Sequence, residues 1–217
     1  MSPNSPNLEF KPAFQILAIY KPLRRTIILL AAIFFLNGWD NIHSQKMNIE
    51  IIPIGQIDDF VLDYLKKNLA DVFKAEVALG KSQPIPEYTF NKKRNQYHSS
   101  EILKNLTRLK QAQITLAIIE RDLYVPELNF VFGQADPANK ICIISLIRLK
   151  QSTYGLAENK ELLLNRSLKE AVHEIGHLLG LGHCSNPKCV MYFSNSLLDT
   201  DKKDYRFCNT CQKSLSI

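Results

Sequence analysis

The sequence lacks several features that would direct its interpretation toward other classes of protein. It has no internal repeat and no low-complexity tract, so repeat proteins and long biased tails are excluded. Its longest apolar run, residues 27–36, is shorter than the about 20 residues that a membrane-spanning helix needs. The basic residues behind its net charge of +6 are dispersed along the chain, so we expect no nucleic-acid partner.

The composition is that of an ordinary globular protein. With 217 residues, of which 46% are hydrophobic and 22% charged, the chain can bury one sizeable core, and two full domains would be cramped. We therefore expect an N-terminal segment, residues 1–45, followed by a single domain, residues 46–217.

The N-terminal segment has the charge pattern of a targeting sequence. Basic residues at positions 21–25 precede the apolar run 27–36, and charge on only this side is typical of a secretory signal. No clear cleavage site follows, so an uncleaved membrane anchor is the second interpretation. We expect an exported or membrane-anchored protein, with a buried element of the fold and a cytoplasmic location as the alternatives.

The remaining chain alternates between strand and helix patterns. We predict a mixed α/β (α+β) fold in which a mixed twisted sheet packs against a helix at residues 159–180. A further helix is expected for about four turns after Asp58, and another from Ser99 or Ser100 to Leu109. Extended apolar runs predict strands at residues 47–54, 114–119, 130–133 and 141–149.

Three of the five histidines lie close together near the C-terminus. His173 and His177 are four residues apart, so on a helix they project from the same face and can hold one metal ion. His183 can supply a third ligand if the helix stops at Gly180, where a left-handed turn costs least. Three protein ligands and an open fourth position are typical of catalytic zinc.

A carboxylate lies next to the first of these histidines. Zinc lowers the pKa of its bound water to about 7, and Glu174 can take the proton and later deliver it to the leaving amine. The segment therefore predicts a zinc hydrolase with Glu174 as its general base. A coincidental histidine pair on an amphipathic helix is the alternative, and it accounts for neither His183 nor Gly180.

The motif resembles a known class of enzymes, the metzincin metallopeptidases. They share its long form, in which glycine and a third histidine follow the first two ligands, and a methionine then forms a tight turn beneath the metal. Met191 stands in that position. Four cysteines follow the motif, and their spacing resembles that of one metzincin family, the archaemetzincins. Cys184 comes directly after His183, Cys189 precedes Met191, and Cys208 and Cys211 come last.

The resemblance to archaemetzincins extends over residues 47–211 and includes the segments 122–133 and 144–149. It implies a metzincin-like zincin domain with an active-site helix and a Met-turn, and zinc-dependent hydrolysis of peptide or protein substrates. It also implies that an edge strand binds the extended peptide, for which residues 129–134 or the adjoining loop are the candidates. A zinc-stabilised binding or scaffold protein with little turnover is the alternative function, against which the presence of Glu174 argues.

Four cysteines are implied by the resemblance to bind a second, structural zinc, which makes two zinc ions per chain. The short Cys184–Cys189 and Cys208–Cys211 spacings are also those of tetrahedral thiolate sites. Two disulfides are the alternative if the protein is exported to an oxidising compartment. The fifth cysteine, Cys142, lies in an apolar run and is predicted to be a buried, inert thiol.

Overall fold

The computed structural model describes residues 46–215. The predicted targeting or anchor segment, residues 1–45, lies outside the described residues and stays a prediction from the sequence. Within residues 46–215, no helix combines the length and the apolar character that crossing a bilayer requires.

The described chain contains a five-stranded sheet and a small three-stranded sheet. The large sheet has the order β2-β1-β5-β8-β7, in which β7 runs antiparallel to β8 and all other neighbours are parallel. The small sheet has the order β3-β4-β6. The strands are β1 (Asn48–Ile54), β2 (Glu76–Leu79), β3 (Phe90–Asn91), β4 (Gln96–His98), β5 (Ile114–Ile119), β6 (Leu123–Tyr124), β7 (Gly133–Asp136) and β8 (Ile141–Ser145).

Helices cover both faces of the large sheet. They are α1 (Asp59–Phe73), α2 (Ser99–Leu106), α3 (Lys160–Leu178), α4 (Leu197–Lys202) and α5 (Asn209–Leu215). Successive residues of a strand point to opposite faces, so in β5 Leu116 and Ile118 pack toward α1 and α3, while Ala117 and Ile119 pack toward α2. Because both of their faces are buried, the central strands β5 and β8 are largely apolar, as is usual for parallel sheets. The expected mixed α/β architecture is confirmed.

Helix α3 carries the histidine motif and agrees closely with the prediction for residues 159–180. The Asn159 side chain accepts a hydrogen bond from the backbone N–H of Leu162 at 3.0 Å and so caps the helix start. Gly180 follows the last turn with a φ of +94°, a conformation that glycine adopts without penalty. The helix packs against β7 and β8, which places the motif beside the antiparallel edge of the sheet.

Two strand predictions need correction. The strand expected at 130–133 begins only at Gly133, and before it Val131 forms an isolated antiparallel bridge with Leu123. Phe130 and Phe132 pack edge-to-face at 5.1 Å, and Arg148 stacks over Phe130 at 4.2 Å. The strand expected at 141–149 ends at Ser145, and a 3-10 turn follows whose residue Leu149 is fully buried. Beyond the observed strand ends, Phe132 and Leu149 are buried without belonging to a strand.

The core predicts how substitutions at matched leucines will differ. Leu69 of α1 is 0% exposed, whereas Leu156 is 58% exposed. We expect Leu69→Ala to lower the free energy of unfolding by about 2–5 kcal/mol, through lost apolar burial and the cavity left behind. Leu156→Ala should change it by less than about 0.5 kcal/mol. Urea denaturation of both variants measures the difference, and equal losses would contradict this assignment of the core.

Candidate active site

The three histidines of the motif converge on one point. His173 and His177 come from the last turns of α3, and His183 comes from the segment beyond Gly180. One ring nitrogen from each lies within 4.8 Å of the others, and the Nε2 atoms of His173 and His177 are 3.1 Å apart. His173 is buried and His183 is exposed, so the cluster opens to solvent on the side of its third member.

Backbone carbonyls set the orientation of two of the rings. Nδ1 of His173 lies 2.8 Å from the carbonyl oxygen of Val190, and Nδ1 of His177 lies 2.8 Å from that of Leu181. Because a carbonyl oxygen only accepts hydrogen bonds, each Nδ1 carries the proton and donates it. The two facing Nε2 atoms are therefore unprotonated and present lone pairs to each other. This is the outer hydrogen bonding that usually orients histidine ligands of metals.

The donor set fits zinc. Two unprotonated nitrogens cannot hydrogen-bond to each other, but both can bind one cation placed between them. Tetrahedral ligands at zinc-to-nitrogen distances of 2.0–2.1 Å lie about 3.3 Å apart, close to the 3.1 Å found here. Burial lowers the pKa of His173 to about 2, which keeps the ring in the neutral form that binds metal.

Glu174 is packed against the edge strand beside the histidines. Gly133, the first residue of β7, approaches it so closely that an added Cβ would lie 2.7 Å from both Cγ and Oε1 of Glu174. Burial raises the pKa of Glu174 well above its ordinary value, and the Glu170 carboxylate raises it further, while Lys203 lowers it. The carboxylate is thus held in a dry position where it is a stronger proton acceptor than an exposed glutamate.

Met191 lies in the tight turn that the sequence predicts beneath the motif. The N–H of Tyr192 donates to the carbonyl oxygen of Cys189 at 2.9 Å and closes the turn, and Met191 is fully buried. An added Cβ at Gly176 would lie 2.5 Å from Sδ of Met191, so this helix position accepts only glycine without movement of its neighbour. A glycine inside a helix was the one signal in the sequence for this contact.

The four clustered cysteines form a second group beside the first. Their sulfurs all lie within 4.8 Å of one another. The distances are 3.8 Å for Cys184 to Cys208 and 3.7 Å for Cys189 to Cys211, and a tetrahedral site with 2.3 Å zinc–sulfur bonds requires about 3.8 Å. The described residues contain no disulfide. The sulfur separations are those of a tetrahedral thiolate site.

The pKa shifts of these thiols differ, because burial raises the pKa of Cys189 and Cys211 while hydrogen bonds favour the thiolate of Cys208. Backbone N–H groups of Asn186 and Cys208 donate to the sulfurs of Cys184 and Cys189 at 3.4 Å and 3.3 Å. A backbone hydrogen bond from Cys211 lowers the pKa of Cys208 to about 6, which favours the thiolate.

The fifth cysteine differs from the other four. Cys142 lies in β8, where it is fully buried as predicted, and burial raises its pKa well above the ordinary value. A thiol in that environment stays protonated and unreactive.

A cleft of about 760 Å³ runs along the histidines and the edge strand. Its walls include α3, β7, the apolar segment 128–132 and residues 193–195. Of residues 129–134, predicted with the adjoining loop as the substrate edge, Gly133 and Gln134 lie in the edge strand Gly133–Asp136 and the others line the cleft. An edge strand presents unpaired backbone groups with which an extended peptide can pair.

Known proteins share this fold and sequence. A model of peptidase family M54 matches residues 43–216. Archaemetzincins from Methanocaldococcus jannaschii and Pyrococcus furiosus are 48% and 41% identical, over 78% and 77% of this chain and 93% and 91% of their own lengths.

Solved structures agree. The crystal structure of archaemetzincin from Methanopyrus kandleri matches with a TM-score of 0.71 and 34% identity, covering 81% of this chain and 97% of that one. The archaemetzincin from Archaeoglobus fulgidus, complexed with malonate, matches with a TM-score of 0.69 and 38% identity, covering 77% and 99%.

The fold, the histidine motif and these relatives together define a zinc metallopeptidase of the metzincin class. The chain belongs to peptidase family M54, the archaemetzincins. The resemblance stated from the sequence is confirmed, and as a peptidase the protein acts on peptide or protein substrates.

Several contacts around the site could not be predicted from the sequence. They are the hydrogen bonds of the Val190 and Leu181 carbonyl groups to the histidines, the close approach of Gly133 to Glu174, and a buried ion pair between Glu170 and Lys203. Carbonyls carry no sequence signal, and the other contacts join residues that are distant along the chain.

The packing of Gly133 predicts a selective loss of activity. In Gly133→Ala the new methyl group displaces the Glu174 carboxylate, so kcat/KM should fall by about a hundredfold, as expected for a misplaced catalytic group. Zinc content should be unchanged, because no histidine is touched. Peptide cleavage and metal analysis measure the two quantities.

Gly155→Ala is the matched control for this substitution. Gly155 has a φ of +74° with no atom within 4 Å of an added Cβ, so its substitution should cost about 1 kcal/mol of stability and no activity. Full activity in Gly133→Ala would show that Glu174 does not depend on this contact.

Proposed function

We propose that this zinc metallopeptidase hydrolyses peptide bonds at a zinc ion held by His173, His177 and His183, with Glu174 as the general base. The observation that carries the proposal is the orientation of the two helix histidines. Both Nδ1 atoms donate to backbone carbonyls, so both Nε2 lone pairs face one point from 3.1 Å apart. The exposed His183 completes the set and leaves the solvent side open for substrate.

The chain's own residues would carry the proton transfers and position the substrate. Bound zinc supplies a Lewis acid that makes water more acidic and polarises the peptide carbonyl. The buried Glu174 carboxylate takes the proton of the attacking water and returns it to the leaving amine, two steps that favour a raised pKa. The backbone of β7 pairs with the extended peptide and lays the scissile bond across the histidines.

We propose that the four clustered cysteines hold a second, structural zinc ion, giving two ions per chain. The site would stabilise the catalytic centre from two sides. Cys184 directly follows His183, and Cys189 directly precedes Val190, whose carbonyl oxygen orients His173. Folding energy from the structural metal would thus also hold two parts of the histidine site in place.

Export or membrane anchoring through residues 1–45 is proposed on the sequence alone, with a cytoplasmic location as the alternative. Its support is the basic stretch 21–25 directly before the apolar run 27–36.

Substitution of the proposed base tests the mechanism. Glu174→Gln keeps the shape of the side chain but removes its basicity, so kcat/KM should fall by about 10²–10⁴-fold with zinc still bound. Glu161→Gln is the matched control, because Glu161 is an exposed glutamate in the first turn of the same helix. A peptide-library screen measures both variants with the wild type.

The outcomes separate the two candidate functions. Equal cleavage by wild type and Glu174→Gln would exclude Glu174 as the base. If neither cleaves any peptide while both bind zinc, the protein is a zinc-stabilised binding module.

Metal stoichiometry tests the second site. The purified protein should contain two zinc ions per chain, and Cys189→Ser with Cys211→Ser should reduce this to one and lower the Tm, because the site contributes folding energy. Cys142→Ala should keep two ions, since Cys142 lies apart in β8. Metal analysis by mass spectrometry gives the counts, and two ions in the double variant would refute the proposed cysteine site.

A further inference from the structure

The face of α3 that carries the histidines continues toward the helix N-terminus as a series of charged residues. Arg166, Lys169 and Glu170 are all buried, and like His173 they lie at spacings of three or four residues. Each of them contacts residues 190–203 of the C-terminal segment. Successive turns of the helix are therefore joined to the segment that contains the Met191 turn.

The contacts differ along this face. Arg166 pairs with Asp201 through two hydrogen bonds of 2.7 Å. Lys169 donates to the carbonyl oxygens of Thr200 and Asp201 at 3.0 Å and 3.1 Å. These bonds hold α4 against α3 and involve no residue of the Met191 turn.

Glu170 and Lys203 form the most deeply buried ion pair of the described residues. Nζ of Lys203 lies 3.1 Å from Oε1 of Glu170, and their side chains are 0% and 4% exposed respectively. The Thr200 hydroxyl donates to the same carboxylate oxygen at 3.2 Å. A buried pair of this kind adds little to stability compared with apolar residues of similar size. Because stability does not account for this pair, its position beside the active site indicates another role.

The pair touches both sides of the histidine site. Glu170 lies on α3 one turn before His173 and lines the cleft. Lys203 also donates to the carbonyl oxygen of Tyr192 at 3.5 Å, and Tyr192 closes the turn of residues 189–192, which contains Val190. The ammonium group is thus placed to hold the Met191 turn against the helix.

We propose that Glu170 and Lys203 are positioning residues, which fix the Met191 turn relative to α3 so that the Val190 carbonyl keeps His173 oriented toward the metal. The inference rests on the proposed histidine site. Neither residue is assigned a chemical step. Loss of the pair would loosen the outer hydrogen bond of one ligand, for which a loss of 10–100-fold in metal affinity is typical.

The test compares two charge-free double variants. Glu170→Leu with Lys203→Met removes the pair without leaving a lone buried charge. Arg166→Met with Asp201→Leu is the matched control, because it removes an ion pair between the same helix and the same segment but away from the Met191 turn. The measurements are the zinc dissociation constant of the histidine site by chelator competition, kcat, KM and Tm.

The expected results separate positioning from simple stabilisation. In the Glu170 and Lys203 variant, zinc should bind about 10–100-fold more weakly and kcat should fall at least about tenfold, with a smaller change in KM. In the control variant, Tm should change while zinc affinity and kcat stay within about twofold of wild type. Equal losses in both variants, or unchanged zinc affinity in the first, would overturn the proposal.

A milder variant covers the case in which the first double variant does not fold. Thr200→Val is nearly isosteric and removes only the hydroxyl that donates to Glu170, so it should weaken zinc binding severalfold, and unchanged affinity would overturn the proposal. If the wild type cleaves no peptide, the proposed function fails on its own, whereas the zinc affinities still decide the role of the ion pair.

Discussion

The hydrogen bond from Nδ1 of His173 to the carbonyl oxygen of Val190 connects the two halves of the active site. On one side is α3, which carries two histidines and Glu174. On the other is the turn at Met191, with a cysteine of the second cluster directly before Val190. If this contact were lost, the His173 imidazole could turn away from the metal even though the helix kept its shape. The orientation of the His173 ring therefore depends on the packing of the C-terminal segment against the helix as well as on the place of this residue in the helix.

That packing explains why α3 is buried on nearly all sides. Its apolar residues face the sheet, and Arg166, Lys169 and Glu170 face the C-terminal segment, where each finds a partner. Unpaired, these charges would be very costly in so dry an environment. The same burial raises the pKa of Glu174 and lowers that of His173, so one structural condition favours the proposed roles of both residues.

The edge strand adds a second constraint on the site. Gly133 allows the backbone of β7 to approach Glu174 closely, and the same strand presents its free edge to the cleft. A peptide paired with β7 would lie within reach of both the carboxylate and the histidines. The proposed substrate alignment and the position of Glu174 would thus depend on the same few residues, which is why a methyl group added at Gly133 is expected to lower activity.

Features that are set by neighbouring residues could be predicted from the sequence, whereas those that depend on contacts between distant residues could not. The helical spacing of His173 and His177, the adjacent Glu174 and the turn at Gly180 are local, because a helix turn and a glycine turn are set by neighbouring residues. Strands β1 and β5 were predicted for the same reason. The strand expected at 130–133 was misplaced, because an apolar run does not show whether its residues pair in a sheet or line a cleft.

The sequence alone therefore determined the family, and it also supplied the proposed ligand set and base. The contacts that orient them were decided by tertiary structure: the Val190 carbonyl on His173, Gly133 against Glu174, and Glu170 with Lys203. Each joins residues far apart in the chain, and such pairs become neighbours only when the helix packs between the sheet and the C-terminal segment. No local pattern encodes that packing, because it depends on how side chains of distant elements fill the space between them.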